Sequence, residues 1–380
     1  MKIAITTWHS GPNAGTFFQL YGLFMYLKSR GHFVEVINYN HVIKDYLPRG
    51  WYYYASQPIA LIKRKIERGK YNKEIKEAES AFQKDLSLRK KRFEEMYQQI
   101  PLTEKVITDE DFDKLNNQFD IFIVGSDQVW NASMLNRRYL LDYVHPDKIK
   151  ASYCPSMGSG QVMKYQQKIF QHYLKDFKYI STREQKLKEI LSKLLPQKIE
   201  HLLDPSMLYP KEEYLKMAHL PEGLSPNSYL LCYFLPKNDF QAEQARQFAK
   251  ERNLKLVVMA MHPYSFKTKD AEIYAAAGPR EFIGLIANAA CVFSSSFHCT
   301  IFSIMLHKDL YVFEQHFTSK SADTNQRYTE QLDCYGISHR YIRWGKNITK
   351  KNLLPIDYNK VESIFQQRLK ESKAFLNQFC

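Results

Sequence analysis

The first forty residues constrain the architecture more tightly than any other part of the chain. Ile3 to Thr7 is a short apolar run, "WHSGPNAG" follows as a loop, Thr16 to Arg30 carries apolar residues at helical spacing, and "GHFVEVINY" alternates with period two. Strand, loop, helix and strand in that order form a β-loop-α-β unit that opens a parallel sheet. Further apolar strands are expected at Asp120 to Val124, near Ala151 to Cys154, around Tyr179 to Ser181 and at Glu200 to Leu203, with helical patterns between several of them. The first half therefore reads as one α/β domain.

"PEGLSPNS", rich in Pro, Gly and Ser, interrupts the pattern near Leu220 to Ser228. A second β/α series follows. Strands are expected at Tyr229 to Leu235, Leu254 to Ala260, Cys291 to Ser294 and Leu310 to Phe313, and helices at Asp239 to Arg252, Pro279 to Ala289 and Cys299 to His307. At 380 residues the chain suits two domains. The expected organisation is an α/β domain over 1–222, a second over 223–350, and a helix within 351–380 packing back toward the first. Inside the first domain lies a charged insert near 58–100, in which apolar residues are too sparse for a buried element. It reads as one or two helices, with a solvated face or a surface for a membrane or partner as the alternatives.

The net charge of +14 points to an anionic partner, whether a phosphorylated substrate, an acidic membrane surface or nucleic acid. Basic and acidic residues are interspersed and no zinc-finger or aromatic RNA-binding signature is present, so nucleic acid is not expected. The six cysteines are scattered without a CxxC pair or zinc-like spacing and read as reduced thiols of a cytosolic protein. "MKIAITTWHS" lacks the basic and apolar segments of a signal peptide, and no apolar run is long enough to span a membrane. A cytoplasmic location is expected, with peripheral contact at the inner face of an anionic membrane left open.

In open parallel sheets ligands collect beyond the carboxyl ends of strands, where the following helices present unpaired N–H groups. Four strand tips are rich in polar residues. At the first, Asn13 and Thr16 suit helix capping, Gly15 permits a tight turn and Gln19 lies about one turn inside the helix. The second, "IFIVGSDQVWN", places Ser126, Asp127, Gln128, Trp130 and Asn131 after a strand; Asp127 either accepts a proton from a substrate hydroxyl or caps a turn. At the third, "YISTREQ", Arg183 offers a planar fork for a carboxylate or phosphate, or pairs with a local acid, and downstream "HLLDPSMLY" ends a strand at Asp204. The fourth, "SSSFHCTIFSIMLHK", sets Ser295, Ser296 and His298 at the start of a helix, where they would face an anion. Beyond it, Lys320, Asn325 and Arg327 occupy a long loop entering a helix.

"HSGPNAGTFFQLYGLFMYLKSRGHFVEVINY", "FIVGSDQVWN", "ISTRE", "LLDPSML" and "SSSFHCTIFSIMLHK", in this order, resemble the polysaccharide pyruvyl transferase family. The resemblance implies an α/β fold of two Rossmann-like domains facing across a cleft, GT-B-like, with the acceptor on the first domain and the donor on the second. It implies phosphoenolpyruvate as co-substrate and a pyruvate ketal on a sugar of a cell-envelope polysaccharide or its lipid-linked precursor as product, with no cofactor or metal. The family histidine maps to His298, the S-x-R-E arginine to Arg183, and the N-x-R pair to Asn325 and Arg327. Taken with the strand tips, it implies His298 and Asp127 as catalytic residues. Arg183, Ser295, Ser296, Thr300, Lys320, Asn325 and Arg327 would bind donor, and Asn13, Gly15, Gln19, Ser126, Gln128 and Trp130 would bind acceptor. Two positions depart from the family pattern. Cys299 replaces the usual glycine after the histidine, and Ser296 stands where one branch has arginine. Two rival readings remain: a nucleotide-sugar glycosyltransferase on the same fold, and a non-catalytic envelope-assembly protein.

Overall fold

Lys2–Thr6 (β1) and Phe33–Val36 (β2) pair in parallel, Ile3 opposite Val34 and Ile5 opposite Val36, and the connecting helix is Ala14–Ser29 (α1). The computed structural model describes residues 1–47, 69, 73, 77, 80–131, 134–158, 162–234, 239–261, 263–315 and 325–380. On its other edge β1 pairs with Ile121–Val124 (β3). The sheet continues through Ile149–Ser152 (β4), Tyr179–Thr182 (β5) and Ile199–His201 (β6), all parallel, in the order β2-β1-β3-β4-β5-β6. Ile3, Ala4 and Ile5 are all buried, as expected of a central parallel strand covered on both faces.

A second six-stranded parallel sheet is built from Tyr229–Tyr233 (β7), Lys255–Met259 (β8), Glu272–Tyr274 (β9), Cys291–Ser294 (β10), Leu310–Phe313 (β11) and Tyr341–Ile342 (β12). Its order is β12-β11-β10-β7-β8-β9. The two sheets make the GT-B-like pair of Rossmann-like halves. The edge strands β9 and β12 escape the sequence pattern because they are three and two residues long, too short to show a period.

In each sheet the strand order reverses at one place, between β1 and β3 in the first and between β7 and β10 in the second. A crevice opens at such a switch point because the helices on its two sides leave on opposite faces. The segments after β1, β3 and β10 carry the first, second and fourth polar tips. The helix after β10 is Phe297–Met305 (α4), and α3 before that strand is Pro279–Asn288.

Helix α1 is buried on nearly every side, from Ala14 through Phe24, because it lies between the two halves. Phe18 packs on Tyr214 from the first half and on Phe282 and Phe302 from the second. One apolar cluster thus runs from β1 through α1 to β10 and β11.

The charged insert differs from its sequence reading. Gln83–Tyr97 (α2) is not a wholly solvated helix, since Arg89, Phe93 and Met96 are buried. Phe93 meets Phe17 of α1 edge-on, while Arg89 reaches the second half and donates from Nη1 to the Ala260 carbonyl at 2.9 Å. Arg92 donates to the Ala276 carbonyl at 2.8 Å and pairs with Glu281 of α3 at 3.4 Å. The helix therefore straps the halves together. The aromatic run "WYYYASQP" and most of the insert before residue 80 lie outside the described residues.

Tyr358–Leu376 (α5) closes the chain on the first half, where Ser372 Oγ accepts from the Leu203 N–H at 3.1 Å and Phe379 stacks on Tyr179. All six cysteines are unpaired. Among the described residues no helix is long and apolar enough to cross a membrane.

Candidate active site

α4 begins on Ser296, whose side chain accepts from the Cys299 N–H, so His298 sits in the first turn of the helix. The helix start carries the imidazole across the boundary between the halves. A Cβ at Gly15 would collide with Nδ1 of His298 and lie 2.8 Å from Cε1 and 2.9 Å from Cγ. A side chain at position 15 would have to displace the imidazole, which occupies its place. On the ring's other side, Nε2 lies 3.7 Å from Oδ2 of Asp204 and is buried without a hydrogen bond.

Asp204 is the centre of this arrangement, and its sequence signal was the acid before Pro205 at a strand tip. Pro205–Met207 is a one-turn 3-10 helix capped by Asp204, whose Oδ1 accepts from the Ser206 N–H at 3.0 Å and from its hydroxyl at 2.7 Å. Oδ2 accepts from Arg183 Nη1 at 3.1 Å. Burial would raise the Asp204 pKa, but His298, Arg183 and Ser206 outweigh it and hold the carboxyl far below its usual range.

Arg183, expected from the sequence either to bind donor or to pair with a local acid, is enclosed by acids. It is 1 % exposed, with Asp204, Asp127 and Glu184 at 3.1, 3.7 and 3.9 Å and the Phe297 ring 4.8 Å from its guanidinium. Burial disfavours its charge, yet Asp204, Glu184 and Asp127 together raise its pKa above the ordinary value. With three carboxylates around one guanidinium, the reading of an arginine paired to local acids is the one the geometry takes. Its Nε and Nη2 are buried without hydrogen bonds, so what it contributes is charge held between acids.

Asp127 projects from the loop after β3. Gly125, with φ of +125°, passes so near β4 that a Cβ there would strike the Tyr153 carbonyl oxygen. Asp127 itself has φ of +62°, and its carbonyl accepts from the Ser156 N–H at 2.7 Å. Its Oδ2 accepts from the Thr16 hydroxyl at 3.0 Å. Asp127, Arg183, Asp204 and His298 thus form one connected centre bounded by Gly15 and Thr16 of α1.

Several residues expected on the acceptor side do other work. Gln19 is wholly buried, accepting from the Ser126 N–H at 2.9 Å and donating to the Thr16 carbonyl at 2.9 Å, which braces the β3 loop. Ser126 donates to the Cys154 carbonyl at 2.9 Å. Trp130 is core, its indole N–H donating to the Tyr139 carbonyl at 2.8 Å and its ring packed on Phe170. Gln128 accepts from Asn131 at 3.1 Å and is partly exposed; Asn13 is exposed and caps α1. Within the acceptor set, Gly15 is the residue packed against the His298 imidazole.

The donor set divides in the same way. Thr300 donates to the Ser296 carbonyl at 2.8 Å, so both serve the start of α4. The Ser295 carbonyl accepts from Gln315 and Tyr328, and the Asn325 amide clasps the Gln315 backbone in both directions at 2.9 and 2.8 Å. Arg327 is partly buried with its guanidinium 5.8 Å from Phe297, the ring that also faces Arg183. Lys320 lies outside the described residues. Phe297 was not singled out in the sequence, although it precedes the histidine and its ring lies near both arginines. Among the described residues no cluster of His, Cys, Asp and Glu is placed to hold a metal ion.

The paired switch points and the shared His298–Asp204 centre define a two-domain, GT-B-like protein with a candidate active site between its halves. The profile of the family described as "Polysaccharide pyruvyl transferase" matches residues 13–316, and the chain belongs to that family. No curated protein matches the sequence significantly. Among solved structures, a Listeria monocytogenes protein assigned as a UDP-N-acetylglucosamine 2-epimerase superposes with a TM-score of 0.53 at 10% identity, over 99% of this chain and 88% of that one. This likeness shows the shared fold. UDP-GlcNAc 2-epimerase from Neisseria meningitidis, bound to UDP-GlcNAc, aligns with a TM-score of 0.49 at 9% identity, covering 99% of this chain and 93% of that one. An E. coli heptosyltransferase with ADP aligns with a TM-score of 0.41 at 11% identity, covering 97% and 100%.

Proposed function

We propose that the protein transfers the pyruvyl group of phosphoenolpyruvate to two hydroxyls of a sugar in a cell-envelope polysaccharide or its lipid-linked precursor, on the cytoplasmic side of the membrane. The observation that carries this reading is the seat of His298. A histidine from the second half is fitted against a glycine of the first and backed by a carboxylate held ionised. Family membership supplies the reaction class.

The chemistry balances without a cofactor. One proton adds to the methylene carbon of phosphoenolpyruvate, making the ketal methyl; two C–O bonds form to sugar oxygens and the C–O bond to phosphate breaks. The two hydroxyl protons removed are matched by the one on the methyl and one on the departing phosphate. His298 carries the first of these transfers. Asp204 favours the Nε2–H form of the ring, leaving Nδ1, at the Gly15 surface, as the atom that exchanges its proton with substrate. Asp127 accepts a proton from an acceptor hydroxyl.

The donor brings about three negative charges near neutrality. Arg327 and the first amides of α4 meet them, with Lys320 as a further candidate cation. Arg183 is a positioning residue, whose guanidinium lies 3.7 Å from Asp127 and 3.1 Å from Asp204 and ties the two together. The test is an assay with phosphoenolpyruvate and a panel of lipid-linked sugars, read by phosphate release and a new ketal methyl signal. Tight uridine diphosphate binding with no phosphoenolpyruvate binding would instead support a nucleotide-sugar glycosyltransferase.

A further inference from the structure

A pocket of about 280 Å³ opens beyond the carboxyl ends of β1 and β2, separate from the His298–Asp204 centre but sharing one wall with it. That wall is Thr16, which lines the pocket and donates its hydroxyl to Asp127 at 3.0 Å. We propose that this pocket binds one uncharged pyranose ring, seating it against the wall that Trp8 and His41 form together and next to Thr16.

Charge argues first. The protein carries a net charge of +14, yet no Lys, Arg, Asp or Glu is among the described residues that line this pocket. Its two imidazoles, His9 and His41, are held below the ordinary histidine range, by desolvation first and, for His41, also by the neighbouring His9. A phosphate or carboxylate would find no counter-charge among these described residues, whereas a neutral polyol needs none.

The shape and the walls agree. The volume suits a single ring and is below that of ordinary drug-sized sites. Of the lining residues, Trp8, Tyr39 and Tyr139 pack their rings around His41 at 5.4 to 6.2 Å, which makes an aromatic wall of the kind that covers the C–H face of a sugar. The wall is fixed in advance. His41 bonds through Nδ1 to Tyr46 at 3.1 Å and through Nε2 to Tyr139 at 3.2 Å, and the Tyr39 hydroxyl donates to buried Asp45 at 2.9 Å. One donor is left over, since the indole N–H of Trp8 is buried with no hydrogen bond. Exposed Ser10 and Asn40 at the rim add groups suited to hydroxyls.

That the ring is the acceptor rests on the pyruvyl-transfer reading; that a neutral pyranose binds does not. The full-length protein is titrated with neutral methyl pyranosides, a glucuronide and uridine, by saturation-transfer NMR and tryptophan fluorescence. At least one neutral pyranoside is expected to bind, at least about five-fold more weakly to Trp8→Phe and to His41→Ala, and unchanged with Trp344→Phe. Thermal melting checks that the variants fold; Trp8→Phe keeps an aromatic ring in place should His41→Ala not fold. Binding of uridine or the glucuronide in place of neutral pyranosides, no pyranoside binding, or binding indifferent to both variants overturns the proposal. Pyranoside binding lost in the variants while no ketal ever forms supports the pocket and counts against the reaction. Ketal formation with an unchanged acceptor KM in both variants does the reverse.

Discussion

The imidazole of His298 occupies the space that a side chain at residue 15 would fill. Gly15→Ala is therefore expected to push the ring out of place. Alanine is the better helix former by about 1 kcal/mol, so helix stability would not suffer from the change itself. The expected outcome is a fall in kcat of about 100-fold with the fold retained, read by steady-state kinetics beside circular dichroism. Wild-type turnover in Gly15→Ala would show that the contact has no catalytic meaning.

Asp204 serves two neighbours, Arg183 at 3.1 Å and His298 at 3.7 Å, through one oxygen. Asp204→Asn keeps the shape and removes the charge. Breaking this buried pairing is expected to cost about 3–5 kcal/mol in denaturant titration. Loss of the group that orients His298 should also lower kcat at least about 100-fold and alter the pH–rate profile of the residual activity. A variant equal to wild type in the pH profile would remove Asp204 from the proton path.

The strap formed by α2 predicts a stability effect far from the chemistry. Phe93→Ala should lose about 3–5 kcal/mol, because a buried ring against Phe17 is replaced by a cavity. Arg89→Met, which keeps the stem but removes the donor to Ala260, should lose about 1–3 kcal/mol. Losses within about 0.5 kcal/mol for both would return α2 to a simple solvated helix.

His201, on β6, bonds through Nε2 to the Arg183 carbonyl at 3.1 Å, and burial first, then Arg368, depresses its pKa to about 4. The unfolded chain binds this proton near pH 6.5 and the folded chain only near 4. Between those values the unfolded state holds more protons, so stability falls as pH drops from about 6.5 to about 4 and levels off below. The loss is up to about 3 kcal/mol, and His201→Gln should flatten that part of the curve.

How far the sequence could see follows from which signals are local. The β1-loop-α1-β2 unit was legible because alternation and helical spacing are properties of short windows, and the polar tips were legible because switch-point ligands need them. Which way a tip residue turns is not local. Gln19 and Trp130 have the chemistry of ligand contacts, yet one braces the Ser126 amide and the other fills the core. Arg183 reads as a phosphate fork until Asp204, Asp127 and Glu184 are brought around it. Arg89 could not be placed at all from its own helix, because its partner carbonyl is 171 residues away in the second half.

The most direct measurement is ketal formation from phosphoenolpyruvate and a lipid-linked sugar in D₂O, with wild type and His298→Ala side by side. The account predicts a ketal methyl bearing one deuterium from the wild type and turnover reduced at least about 100-fold in the variant. A methyl without deuterium, or equal rates from the two proteins, would contradict it.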